Sequence, residues 1–277
     1  MSDSPDPKEQ PAVNANEPVL SFRNVCLSFD RNRVLDDISF EICAAETCIL
    51  LGPAGSGKSV LMKLAEGLIK PDSGSICVFG QEITSMSEHD LFALRRRVGM
   101  VFQESALFDS MTVEDNVAYR LNEEGVDPAE THRRVEESLN FVLLGQAISK
   151  FPSELSGGMR RRVSIARAII TNPDLILYDS PTGGLDPITS TAIVELVAKQ
   201  RDISHTTALM ITHRLQDAFT LATHHFDPGV DKMVPIPNGG VDEKTSFLIL
   251  NEGKIVFQGS TLQLTHSEDP WIKSYLA

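Results

Sequence analysis

Eight consecutive residues, GPAGSGKS (Gly52–Ser59), combine what a phosphate-binding turn needs: a backbone free to bend and a cation at a fixed place. They match the pattern GxxxxGK[ST], with Gly52, Gly57, Lys58 and Ser59 at the defining positions and Pro53, Ala54, Gly55 and Ser56 between them. The glycines let successive backbone N–H groups converge on phosphate oxygens, and the helix expected through Val60 adds the partial positive charge of its N-terminus. Lys58 can reach the β- and γ-phosphates, and the Ser59 hydroxyl can ligate Mg2+. The plain alternative is a Gly-rich turn with an incidental lysine, and the flanks argue against it. TCILL (Thr47–Leu51) is a continuous apolar run of the kind that forms a strand buried on both faces. Leu61, Leu64, Ala65 and Leu68 then recur at helical spacing.

A carboxylate suited to the same ion comes about 120 residues later, where the apolar run DLILYD closes on Asp179. An aspartate at a strand end is often only a turn former. Paired with the glycine loop, it predicts that the two buried strands are sheet neighbours, so that Ser59 and Asp179 face one Mg2+. A third element, LSGGM (Leu155–Met159), precedes RRRVSIARAII. Ser156 can cap that helix, and Gly157 and Gly158 let an anion approach its N-terminal N–H groups. Taken alone it is an ordinary Ser-capped helix.

Strands alternating with helices must position these groups. VLSFRNVCLSF (Val19–Phe29) and ISFEI (Ile38–Ile42) alternate as half-buried strands do, residues 85–172 are mostly helical, and TALMIT (Thr207–Thr212) is a further buried strand. This implies an α/β sheet with a helical block between two of its strands. FLIL and KIVF form a closing hairpin around NEG, and PNGG can turn a small hairpin within an irregular stretch at 223–246. That stretch reads as a surface insertion rather than a metal site, because His224, His225 and Asp227 have no second ligand cluster. Residues 1–18, polar and Pro-containing, are expected to be a disordered tail. The domain then spans 19–264, with the helical subdomain at about 104–160, and 265–277 are a C-terminal tail.

The 277 residues are 42% hydrophobic, enough for a well-buried core, and carry a net charge of -13. That balance argues against a nucleic-acid partner, and the runs Arg95–Arg97 and Arg160–Arg162 read as solvated helix faces. Cys26, Cys43, Cys48 and Cys77 form no CxxC pair and read as small core residues in a reducing compartment. No signal peptide is evident, and no apolar run approaches the roughly 18 residues that span a bilayer.

In this order, GPAGSGKS, VFQESALF, LSGGMRRRVSIARAI, DLILYD, GGLD and MITHR resemble the motif set of the ATP-binding cassette (ABC) superfamily, over about Val19 to Gly259. The resemblance implies a P-loop NTPase of the ABC-ATPase fold: α/β, with a RecA-like mixed sheet core, an antiparallel β subdomain and a helical signature subdomain. It implies that Phe29 stacks on adenine, where the alternative is a core aromatic. Gln103 would contact Mg2+ and water, Gly183–Asp186 would communicate across a dimer, and His213 would be the switch histidine. Gln103 and His213 would otherwise be surface polar residues. Two ATP molecules would lie in a head-to-tail homodimer, each between one subunit's loop and Ser156, Gly157 and Gly158 of the partner subunit. ESALFDSMTVEDNVAYRL, the methionine of LSGGM, YDSPTGGLDPI and SEDPWIKSYLA are further similar to the Mla/Mce-associated ATPases. This implies a transmembrane permease subunit, a membrane-anchored Mce-type substrate-binding protein, movement of phospholipid or another hydrophobic substrate, and a peripheral place on the cytoplasmic face of the bacterial inner membrane. The 223–246 stretch is longer than that group's usual connection.

One position departs from the family. The residue after the second motif's aspartate is usually a glutamate that polarises the attacking water, and here it is Ser180. A hydroxyl can hold water but cannot take its proton at neutral pH. Losing a whole general base costs about 10²- to 10⁴-fold in rate, or roughly 3 to 5.5 kcal/mol of barrier. Hydrolysis is therefore expected to be slow, with Gln103 and His213 holding the water, or with Glu104 or Asp186 supplying a carboxylate. The other readings are a nucleotide-gated structural subunit with little turnover and a soluble ABC ATPase outside transport.

Overall fold

The computed structural model describes residues 18–277; apart from Pro18, the expected N-terminal tail lies outside them. The alternating segments form β1 (Pro18–Phe29) and β2 (Asn32–Cys43), paired antiparallel. β3 (Thr47–Leu51), buried at every residue, leads into the glycine loop and α1 (Lys58–Ala65). β4 (Ser73–Val78) and β5 (Gln81–Glu82) complete a four-stranded antiparallel sheet in the order β2-β1-β4-β5. α2 (Glu88–Arg95) and β6 (Val98–Val101) precede the helical block of α3 (Val113–Glu123), α4 (Pro128–Phe141) and α5 (Gly157–Ile169). β7 (Leu175–Asp179), α6 (Pro187–Ser204), β8 (Thr207–Ile211) and α7 (Leu215–Thr223) follow. The chain closes with the hairpin β9 (His224–Asp227) and β10 (Lys232–Pro235), the hairpin β11 (Thr245–Asn251) and β12 (Lys254–Ser260), and helices α8 (Thr261–Thr265) and α9 (Pro270–Leu276).

The second sheet has six strands in the order β12-β11-β3-β8-β7-β6, parallel except for the β12 edge. Its apolar runs serve two cores at once, as a strand period of two requires. Ile49, Leu51, Ile176 and Tyr178 pack with the helical block, whereas Cys48, Leu50, Leu175 and Leu177 pack with α1 and the antiparallel sheet.

Several expectations are corrected. β3 and β7 are not neighbours, because β8 lies between them and pairs with both. All five residues of β8 are buried, as suits a central strand, and its register brings Leu50, Ile211 and Asp179 into one row across the sheet. β6 interrupts the region read as mostly helical; it is four residues long and contains Gly99, where a Cβ would stand 2.6 Å from the Ala168 carbonyl oxygen of α5. The small hairpin turns at 228–231, and PNGG instead forms a 3-10 turn in which Asn238 and Gly239 both have positive φ. Of the four cysteines only Cys48 is buried, since the other three lie on or beside the half-exposed antiparallel sheet.

Candidate active site

Three glycines shape the loop for different reasons. Gly52 (φ 146°) passes so close to β11 that a Cβ would stand 2.1 Å from the Leu250 carbonyl oxygen. A Cβ on Gly57 (φ 106°) would stand 2.9 Å from Leu35 Cδ2, whereas Gly55 (φ 77°) faces open space. A ligand can therefore approach the backbone at Gly55 without meeting a side chain. Helix α1 begins at Lys58 with Gly57 as its N-cap and no side-chain cap, so its first N–H groups and dipole are left for an anion. Lys58 Nζ donates to the carbonyl oxygens of Gly52 (2.8 Å) and Pro53 (2.7 Å) and to Ser56 Oγ (3.4 Å). Burial lowers its pKa, opposed by the charge of Asp179. Ser59 is exposed in the first turn.

The remaining groups gather at the carboxyl edge of the parallel strands, where α/β sheets place their ligands. Asp179 ends β7, Gln103 follows β6 by two residues, and His213 follows β8 by two. Gln103 and His213 are both exposed. Ser180 is only 7% exposed, has φ 47°, and donates its N–H to the Ile211 carbonyl at 2.9 Å. Its hydroxyl donates to Asp179 Oδ1 at 3.3 Å. Gly183 lies against Gln103, whose Cγ is 3.5 Å from the place a Cβ would take.

Ser156 caps α5 by accepting from the Met159 N–H at 3.2 Å, as its position suggests. The signature residues lie against the segment that runs through Leu185 to Thr189. Gly157 is exposed near Leu185, but Gly158 is buried, and a Cβ there would stand 2.4 Å from Thr189 Cγ2. Close packing on α6 thus requires Gly158. Asp186 caps α6, its carboxylate accepting from the Thr189 N–H (3.0 Å) and hydroxyl (2.5 Å), and these bonds hold its pKa down. Phe29 is not a core aromatic: it is 49% exposed at the end of β1.

In each arginine run one member is exposed, Arg96 and Arg160, while others tie parts of the fold together. Arg95 donates to the Glu66 and Gly67 carbonyls at the end of α1, and Arg97 pairs with Asp174 at 2.6 Å. Arg161, 4% exposed, donates to the Phe102 carbonyl beside Gln103 and, at 3.3 Å, to the Gly183 carbonyl. Burial lowers its pKa while Asp179 and Glu104 support its charge. One signal for this was available: Arg161 is in helical phase with Gly158, Ile165 and Ala168, all buried. The turn after Ser180 is further held by a buried bond from the Thr182 hydroxyl to Asp217 (2.5 Å) and by Arg214, which donates to Ser190 Oγ at 2.7 Å.

An uncapped helix start behind a glycine loop, with a lysine and an aspartate converging on it, defines a P-loop nucleotide-binding protein. The family described as ABC transporter matches residues 35–183, and the chain belongs to that family as an ABC-type ATPase. It is 35% identical over 259 residues to the Escherichia coli (strain K12) intermembrane phospholipid transport system ATP-binding protein MlaF, covering 93% of this chain and 88% of that one. It is 38% identical over 207 residues to the Bifidobacterium longum methionine import ATP-binding protein MetN, covering 72% of this chain and 52% of that one. A dimeric ATP-binding cassette solved in a post-hydrolysis state with ADP and Pi aligns with a TM-score of 0.73 at 25% identity, over 87% of this chain and 98% of that one.

Proposed function

We propose that this ABC-transporter ATPase works as a homodimer bound to a transmembrane permease and drives phospholipid or other hydrophobic-substrate transport between bacterial membranes, from the cytoplasmic face of the inner membrane and together with a membrane-anchored Mce-type substrate-binding protein. The substrate reading is carried by one observation: likeness to the phospholipid-system relative runs through nearly the whole of both chains, whereas likeness to the methionine importer stops at about half of that protein. A groove beside the Gln103 loop supports the permease partner. Phe92, Phe102, Phe108 and Tyr119, all exposed, line it with Arg96 and Arg167 around about 550 Å3. Exposed aromatics clustered in this way mark protein contact surfaces. Among the described residues no helix is long and apolar enough to cross a membrane.

The donor set fits ATP with Mg2+. The α1 N-terminus and Lys58 hold phosphate charge, with Lys58 exchanging the Gly52 and Pro53 carbonyls for phosphate oxygens. Ser59 and Asp179 offer the hard oxygen ligands Mg2+ prefers, with Gln103 beside them. Bound there, Mg2+ neutralises charge on the β- and γ-phosphate oxygens. Phe29 is free to stack on a base, and Ser156, Gly157 and Gly158 present a capped helix start to the partner's nucleotide. Gln103 and His213 orient the water, Ser180 keeps the Asp179 carboxylate placed, and the γ-phosphate takes the water's proton. Asp186 is committed to its helix cap, which disfavours it as a substitute base. Turnover is therefore slow but real.

The test is purification of the tagged chain from its native membrane. Co-purification with a multi-span membrane protein, and lipid transfer between vesicles that Lys58→Ala abolishes, support this reading. Recovery without a membrane partner, or transport of a polar solute only, overturns it.

A further inference from the structure

The last eight residues fold back onto the start of the phosphate loop. Asp269 caps α9, its carboxylate accepting from the Trp271 (2.8 Å) and Ile272 (3.1 Å) N–H groups, and Pro270 at the first helical position suits the fixed φ required there. Ile272 is buried in the core shared with the helical block, and the Trp271 and Tyr275 rings stack one turn apart with centroids 5.4 Å apart. This packing delivers the Tyr275 hydroxyl to Gly52, whose N–H donates to it at 2.9 Å. Gly52 is thereby fixed on both sides, its N–H by the phenol of α9 and its carbonyl by the Lys58 ammonium. It directly follows Leu51, the last residue of β3, and the chain turns there with positive φ, so sheet pairing does not continue through it.

We propose that Tyr275 is a positioning residue for nucleotide binding: α9 holds Gly52 in the conformation that aims the loop's N–H groups and Lys58 at phosphate, and keeps it there when Lys58 leaves the Gly52 carbonyl. Burial raises the phenol pKa, so the hydroxyl is uncharged at neutral pH and accepts from Gly52 as a neutral group. The proposal rests on Gly52–Ser59 being the nucleotide site.

The test uses the full chain and a fluorescent ATP analogue with Mg2+, and steady-state ATPase of the complex. Tyr275→Phe keeps the stack on Trp271 and removes only the acceptor. It should weaken nucleotide binding and raise the KM for ATP about 5-fold, the effect of one net hydrogen bond, with kcat within about two-fold. Amide hydrogen exchange should accelerate at the loop and not across β3. Deletion of 270–277 should lose at least as much affinity. A Tyr275→Phe protein that melts earlier yet binds nucleotide like wild type overturns the proposal, as does a loss confined to kcat. Lys58→Ala separates the two layers: if it binds nucleotide normally the site assignment itself fails, whereas if it fails to bind while Tyr275→Phe is normal, only the role of Tyr275 fails.

Discussion

The Ser180 hydroxyl donates to Asp179 Oδ1 across 3.3 Å, so Ser180 serves as a neighbour to a carboxylate. Asp179 is in turn level with Ile211 and Leu50 across the sheet, and Ser180 is pinned through its N–H to Ile211. The hydroxyl therefore contributes position and no basicity. Ser180→Ala should change steady-state ATPase of the complex by less than about 3-fold, because a general base worth about 10²-fold or more is not there to lose. A drop beyond 100-fold would give Ser180 a direct part in proton transfer.

Arg161 joins the carbonyls on either side of the catalytic edge, Phe102 and Gly183. Arg161→Met leaves the Gly183 carbonyl without its partner and the Phe102 carbonyl with only the Ser105 N–H (3.0 Å), at a cost of about 1–3 kcal/mol before relaxation. The melting temperature should fall, and kcat should fall by about ten-fold or more while the KM for ATP stays within about two-fold, since the loop itself is untouched. Kinetics and thermal unfolding of the variant check both parts.

Gly158 is governed by packing. Gly158→Ala pushes a methyl into Thr189 Cγ2, an overpacking worth about 1–3 kcal/mol. Thr189→Ser removes the obstructing methyl and keeps the hydroxyl that Asp186 accepts from. The double variant should recover most of the lost stability, and denaturant melts of the four proteins in the cycle measure the coupling.

Glu66, at the end of α1, is buried, and desolvation pushes its carboxyl up to about 7 despite the opposing charge of Arg95. With the folded pKa above the unfolded one, its contribution is full below about pH 4.5 and is lost as pH rises to about 7. Above that window the buried charge costs up to about 3 kcal/mol. Glu66→Gln should flatten this part of the stability profile and raise the melting temperature at pH 8, measured by melts from pH 5 to 8.

Much of this was legible in the sequence because it is local. The apolar run into Gly52, the glycine pattern before Lys58 and the serine before Gly157 each act on residues next to them, and the structure shows the strand, the uncapped helix start and the Ser156 cap. What escaped depends on distant partners. Nothing within DLILYD says which strand it lies beside, so β8 between β3 and β7 was invisible. VGMV is too short and glycine-containing to stand out as a strand. Arg161 reads as charge unless its phase on α5 is followed, and no local pattern ties Tyr275 to Gly52, 223 residues earlier.

The central proposal is that ATP is hydrolysed here slowly because no carboxylate stands at Ser180 to take the water's proton. The direct measurement is steady-state phosphate release by the purified permease complex for wild type, Lys58→Ala and Ser180→Glu. The expected result is wild-type turnover above the Lys58→Ala background and an increase of about 10²-fold or more in Ser180→Glu, as restoring a general base supplies. Wild-type turnover equal to that of Lys58→Ala, or a Ser180→Glu rate no higher than wild type, would contradict it.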